Sequence, residues 1–91
     1  MPLKDKIIHF IIPYAMNTKE FDEAKFEREL RNIMRYYLAR KEFTAAQILA
    51  VIDNIDKNLD AAIDDKEMCK KMHNVLRRVK NFSKLYKNLN R

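Results

Sequence analysis

Glycine is missing from all 91 residues of the chain. Tight hairpin turns, phosphate-cradling loops and nucleophile elbows depend on it, because only glycine takes positive φ without strain. Its absence therefore argues against β-hairpin folds, nucleotide-binding loops and the strained turns of hydrolases together. Helices capped by side chains remain. Cys69 is the single cysteine, so no internal disulfide can form, and a lone thiol without a signal sequence ahead of it fits a reducing, cytoplasmic setting. The apolar run Ile7-Ile8-His9-Phe10-Ile11-Ile12 falls far short of the roughly 20 residues that cross a bilayer. It also lacks the small-residue cleavage site of an export signal, so no membrane partner is expected.

Chemistry-bearing groups are equally sparse. Ser83 is the only serine and has no base at plausible spacing. No pair of carboxylates sits among apolar residues that would raise a pKa for acid–base work. Asp53, Asp56 and Asp60 lack the spacing of a calcium loop. Cys69 and His73, four residues apart on a helix, match two ligands of a zinc site. Nothing near them in sequence supplies two more, and Lys70 and Lys71 would repel a cation. The expectation is a non-enzymatic protein with no cofactor, no resident metal and no small-molecule substrate.

What the chain does have is enough apolar material, 47%, for one core in a single domain spanning residues 1–91. A chain this short buries only about 60–65% of its unfolded surface, so a partner or a second copy would add stability. Three sites carry the marks of a helix start. Phe21-Asp22 before Phe26, Phe43-Thr44 before Ile48, and Ile63-Asp64 before Met68 each fit a hydrophobic staple around an N-cap. Thr44 and Gln47 also form a capping box. Helices over about 23–41, 45–62 and 65–89 follow.

Each helix carries an apolar stripe at helical spacing. The first is Phe26, Leu30, Ile33, Met34 and Tyr37, and the second Ile48, Ile52, Ile55, Leu59 and Ala62. The third, Met68, Met72, Val75, Val79, Phe82, Tyr86 and Leu89, alternates steps of four and three, the period of a coiled-coil seam. Core packing within the chain is the first reading of that seam, and a homodimer through it is the second. No glycine or proline interrupts residues 63–65, so one helix of some 45 residues is the alternative to a turn there. In the first sixteen residues, Pro2 and Asp5 suit a helix start, and Leu3, Ile7, Ile8, Ile11 and Ile12 share a face. Pro13 is expected to end that helix, while the β-branched residues would also suit a short strand. The fold class is thus all-α: three long helices and a short N-terminal one in a small bundle. The last two helices are expected as an antiparallel, coiled-coil-like hairpin.

Charge is distributed unevenly. Residues 1–63 hold ten Lys/Arg and ten Asp/Glu, whereas residues 64–91 hold nine and three, so the net charge of +6 resides in the last helix. Lys66, Lys70, His73, Arg77, Lys80, Lys84, Lys87 and Arg91 line one face, a ribbon about 36 Å long at 1.5 Å per residue. Asn74, Asn81 and Asn88 lie beside it. Recurring cations suit the phosphates of a nucleic acid, and asparagine adds neutral hydrogen bonds. Arg28, Arg31 and Arg35, with Tyr36 nearby, form a second and shorter stripe able to stack on bases.

An intramolecular use competes with that reading. In an antiparallel hairpin Asp60 would lie near Lys70 and Asp53 near Arg77, each such exposed pair contributing about 0.2–1 kcal/mol. Lys80, Lys84, Lys87 and Arg91 are expected to stay uncompensated. A helix-turn-helix with 45–62 as recognition helix is excluded by its exposed Asp53, Asp56 and Asp60, which phosphates repel. The partner expected is therefore a nucleic acid, met through Arg77, Lys80, Lys84, Lys87, Arg91, Asn81 and Asn88, with Arg28, Arg31 and Arg35 in support. An acidic protein surface is the alternative, in a small inhibitor, immunity-type or adaptor protein of phage- or plasmid-borne style.

Overall fold

The computed structural model describes the backbone of residues 3–89 and the side chains of residues 3–81. Four helices follow one another: α1 (Leu3–Ala15), α2 (Glu23–Ala39), α3 (Ala45–Ala62) and α4 (Lys66–Leu89). There is no strand among the described residues, so the segment at the N-terminus is the helix and not the strand. All four helices contribute to one apolar core. α3 packs most extensively on α4, α2 also lies on α4, and α1 covers α3 and α2.

The staples organise the entries into α2 and α3. Asp22 caps α2 by accepting from the Lys25 N–H, and the flanking Phe21 and Phe26 rings lie 5.1 Å apart. Thr44 caps α3 through its hydroxyl, 3.1 Å from the Gln47 nitrogen, while the Gln47 side chain returns to the Thr44 N–H at 2.9 Å. Capping of this kind contributes about 1 kcal/mol per helix. The third start falls one residue later than the sequence pattern implies. Asp65, and not Asp64, accepts from the Met68 N–H at 3.1 Å. α3 and α4 are accordingly two helices separated at residues 63–65. Ile63 takes an extended backbone conformation there, natural for a β-branched residue, and is buried. Its side chain fills the place expected for Ala62, which is exposed.

Pro13 does not end α1. The helix runs two residues past it, to Ala15. The stop is Asn17, in the left-handed region at φ 57°. Its N–H donates to the Tyr14 carbonyl, and both the N–H and hydroxyl of Thr18 donate to the Pro13 carbonyl, a Schellman ending. Aromatic packing holds the last turn in spite of the proline. Tyr14 meets Phe10, Phe21 and Phe26 at centroid distances of 5.2–5.8 Å. At the end of α2, which stops at Ala39 and not 41, Lys41 takes the left-handed position at φ 58°. Among the described residues, the glycine-free chain takes positive φ at an asparagine and a lysine.

The core contains Phe26, Leu30, Met34 and Tyr37 from α2, and Ile48, Ile52, Ile55 and Leu59 from α3. α4 buries Met72, Val75 and Val79 from the heptad seam, and also Cys69 and Leu76. The buried stripe is therefore wider than a two-position seam, as a helix packed against two neighbours requires. Up to Val79 the seam is internal core. Phe82, Tyr86 and Leu89 lie outside the residues whose side chains are described. No helix among the described residues is long and apolar enough to cross a membrane.

Candidate nucleic-acid interface

α4 has three unlike flanks. Toward α3, its cations are closed off. Lys80 Nζ lies 2.8 Å from Asp56 and 3.3 Å from Asp53. His73 contacts Asp56 through Nδ1, and Asp60 through Nε2 at 3.1 Å. The Sγ of Cys69 donates to Asp60 at 2.9 Å. The expectation that Lys80 is uncompensated is thereby corrected: it is the centre of an ion cluster. The pairs also lie up to a helical step further along α4 than the sequence pattern places them, so Asp60 meets His73 instead of Lys70, and Asp53 meets Lys80 instead of Arg77. Apolar burial on the core side sets that register, and the charges follow it.

These contacts move the titrations. Hydrogen bonds from Lys57 and Lys80 hold Asp53 below the usual carboxylate range. At Asp56 burial pulls upward, and hydrogen bonds from Lys80 and His73 outweigh it, so the carboxyl is also depressed. Cys69 and His73 depress Asp60. His73 is lowered by burial and raised more by Asp56 and Asp60, for a net rise. Burial, aided by Asp60, pushes the Cys69 thiol up to about 11, which leaves it protonated and unreactive near neutrality.

Toward α2, Arg78 forms a two-point clasp. Its Nε lies 2.7 Å from Glu27 and its Nη2 lies 3.0 Å from Glu23. Glu27 is shared with Arg31, at 3.1 Å. Arg31 is therefore half-buried and ion-paired, unlike the free stacking group expected of it. Arg28 and Arg35 are exposed. The Tyr36 ring, 55% exposed, is covered on one side by the Arg40 guanidinium at 5.3 Å, and its hydroxyl accepts from Arg40. Arg40 in turn pairs with Glu42 at 2.7 Å.

The outward flank is different. Lys70, Arg77 and Asn81 are exposed, and neither Lys70 nor Arg77 has an ion pair among the described residues. Arg77 borders two shallow grooves. One, of about 820 Å³, includes Lys66, Lys70 and Asn74 on its wall, and the other, of about 480 Å³, includes Leu49, Lys80 and Asn81. Of the residues proposed for nucleic-acid contact, Arg77, Asn81, Arg28 and Arg35 are exposed, while Lys80 and Arg31 are engaged internally. Lys84, Lys87, Asn88 and Arg91 fall outside the described side chains.

Two features escaped the sequence pattern. Arg78 stood off the regular ribbon, and its acid partners are 51 and 55 residues away. Asp60 joins Cys69 and His73 only through the packing of α3 on α4. No family model, curated protein or solved structure matches the chain.

Proposed function

We propose that the chain is a small, cytoplasmic, non-enzymatic regulatory protein that contacts nucleic acid through the outward flank of α4. The flank is carried on an antiparallel, coiled-coil-like hairpin of α3 and α4. The order of the cross-helix partners supports that hairpin: 69 with 60, 73 with 56 and 80 with 53. The reading rests on one observation. The acids of α2 and α3 pair with the cations of the two inner flanks, whereas Lys70 and Arg77 face solvent with no ion pair among the described residues. Uncompensated cations along a helix release counterions when phosphates replace them, which drives binding. Asn81 adds a neutral hydrogen-bonding group beside them.

Anisotropy titrations of short duplex and single-stranded oligonucleotides over a salt series test the reading. Affinity is expected to fall linearly on a log–log salt plot, by about 0.9 in slope per phosphate neutralised on duplex DNA. Arg77→Gln combined with Lys84→Gln and Lys87→Gln is expected to flatten that slope. Absence of binding at low salt, or binding indifferent to salt, refutes it.

A second reading has its own observation. α1 and α3 frame a largely apolar groove of about 530 Å³ that includes Ile8, Ile11, Ile12, Met16 and Leu59. Ile12 is 41% and Met16 67% exposed. An apolar trough of this kind suits a partner protein. A complex with such a partner would survive nuclease treatment and high salt, which separates the two readings.

A further inference from the structure

Cys69, His73 and Asp60 bring three kinds of metal ligand to one point, and their ligand atoms all lie within 4.8 Å of one another. The pair from α4 is spaced i, i+4, which puts both side chains on one helix face. The third comes from the last turn of α3. We propose that these three side chains form a site for a single transition-metal ion of the Zn²⁺ class, with its fourth position open to the groove beside α4. The sequence leaves Cys69 and His73 two ligands short of a four-ligand site; Asp60 supplies one of the two.

Zinc takes sulfur, nitrogen and oxygen ligands at about 2.0–2.3 Å, so tetrahedral ligand atoms stand roughly 3.3–3.6 Å apart. Here Asp60 Oδ1 is 2.9 Å from Sγ and 3.1 Å from Nε2. Opening those separations by about half an ångström makes room for the ion. Asp60 is free to make that movement, since its side chain is 82% exposed. Metal binding replaces the S–H proton on Sγ, which leaves to solvent, and the imidazole offers the Nε2 lone pair.

The shell behind these ligands has the form that metal-binding histidines use. Asp56 holds the other ring nitrogen, Nδ1, and so fixes the ring and leaves Nε2 for the metal. Lys80 anchors Asp56 from the far side at 2.8 Å. The groove at the open position is lined by Asp64 as well as by Lys66, Lys70 and Arg77. The three cations are exposed, where water and salt screen them. Asp60 and the thiolate together supply two negative charges against the two positive charges of the ion, and Lys80 balances Asp56. The site makes no use of the nucleic-acid contacts proposed above, and stands or falls without them.

The test is a Co²⁺ titration of the chelator-stripped full chain, read by absorption and repeated with Zn²⁺ as competitor. One equivalent of Co²⁺ is expected to give a thiolate-to-cobalt band in the near ultraviolet, bleached by Zn²⁺. Cys69→Ser is expected to abolish that band, and Asp60→Asn and His73→Gln to weaken binding at least tenfold. Asp56→Asn keeps the band and binds about 10–100-fold more weakly. Asp5→Asn, in the first turn of α1 and outside that groove, is the control, with binding unchanged. Asp60→Asn alters an exposed carboxylate and keeps the helical circular dichroism, so its result is not confounded by misfolding. The proposal is overturned by the absence of a thiolate band, or by a band of undiminished affinity in Asp60→Asn and His73→Gln.

Discussion

Arg77 and Lys80 are three residues apart on α4, and they meet opposite surroundings. Arg77 points to solvent between two grooves. Lys80 closes onto Asp53 and Asp56, with only 19% of its side chain exposed. Both belong to one regular ribbon of positive charge in the sequence. Three residues around a helix amount to a rotation of about 300°, or 60° the other way. That turn is enough to move a cation from the boundary with an acidic neighbour to open water. A charged stripe is therefore two things at once, an internal fastening on one edge and an available surface on the other, and the neighbouring helix decides which.

The sharpest way to break the internal edge is to remove its shared acid. Asp56→Ala leaves both His73 and Lys80 without their main partner, and the expected loss is about 2–3 kcal/mol in urea unfolding. Oligonucleotide binding by the folded variant should be unchanged. The outward edge responds in the reverse sense. Lys70→Gln with Arg77→Gln is expected to leave unfolding within about 0.5 kcal/mol of the parent. The same pair should reduce the salt slope of duplex binding by about 1.8, two phosphates at 0.9 each. Equal losses of stability from the two sets of substitutions would erase the distinction between the edges.

Titration sharpens the comparison further, in protein kept in chelator. Asp53, Asp56 and Asp60 are depressed in the folded state. Their contribution is present above the unfolded value near 3.9 and is lost as pH falls through the folded values. His73 is raised. Its contribution is full below about 6.5 and is lost as pH rises through the folded value. The cluster therefore stabilises most between roughly pH 4 and 6.5. Denaturant midpoints measured across that range should show a maximum there, and His73→Gln should remove its alkaline side. The smallest effect concerns a corner far from either edge. Lys41→Gly relieves a left-handed lysine and is expected to stabilise by about 0.5–1 kcal/mol, net of the added freedom of the unfolded chain.

The helices were legible from local chemistry. Staples and caps act over five residues, so Phe21, Asp22, Thr44 and Gln47 carry their own instructions, and the structure keeps them. The failures are places where a distant contact outweighs a local preference. Pro13 should stop a helix, yet Tyr14 is gripped by three aromatic rings from α1, α2 and the segment between them, and α1 continues to Ala15. The staple pattern points to Asp64 as the cap, and the neighbouring Asp65 takes that role. Burial of Ile63 selects the second. Lys80 departs from expectation for the same reason, because a register shift of one helical step along α4 changes every pair across the interface without changing any stripe. Asp60 beside Cys69 and His73 is a consequence of that register and could not be seen without it.

The clasp between Arg78 and Glu23 and Glu27 bears on how the bundle assembles. Those partners are separated by 51 and 55 residues, whereas the cross-links between α3 and α4 span 9 to 27. Closing the shorter loops costs less chain entropy, so α3 and α4 are expected to gather first, with α2 docking on them afterwards. Loss of Arg78 should then hasten unfolding and scarcely slow refolding, which stopped-flow measurements would register as movement of one chevron limb alone.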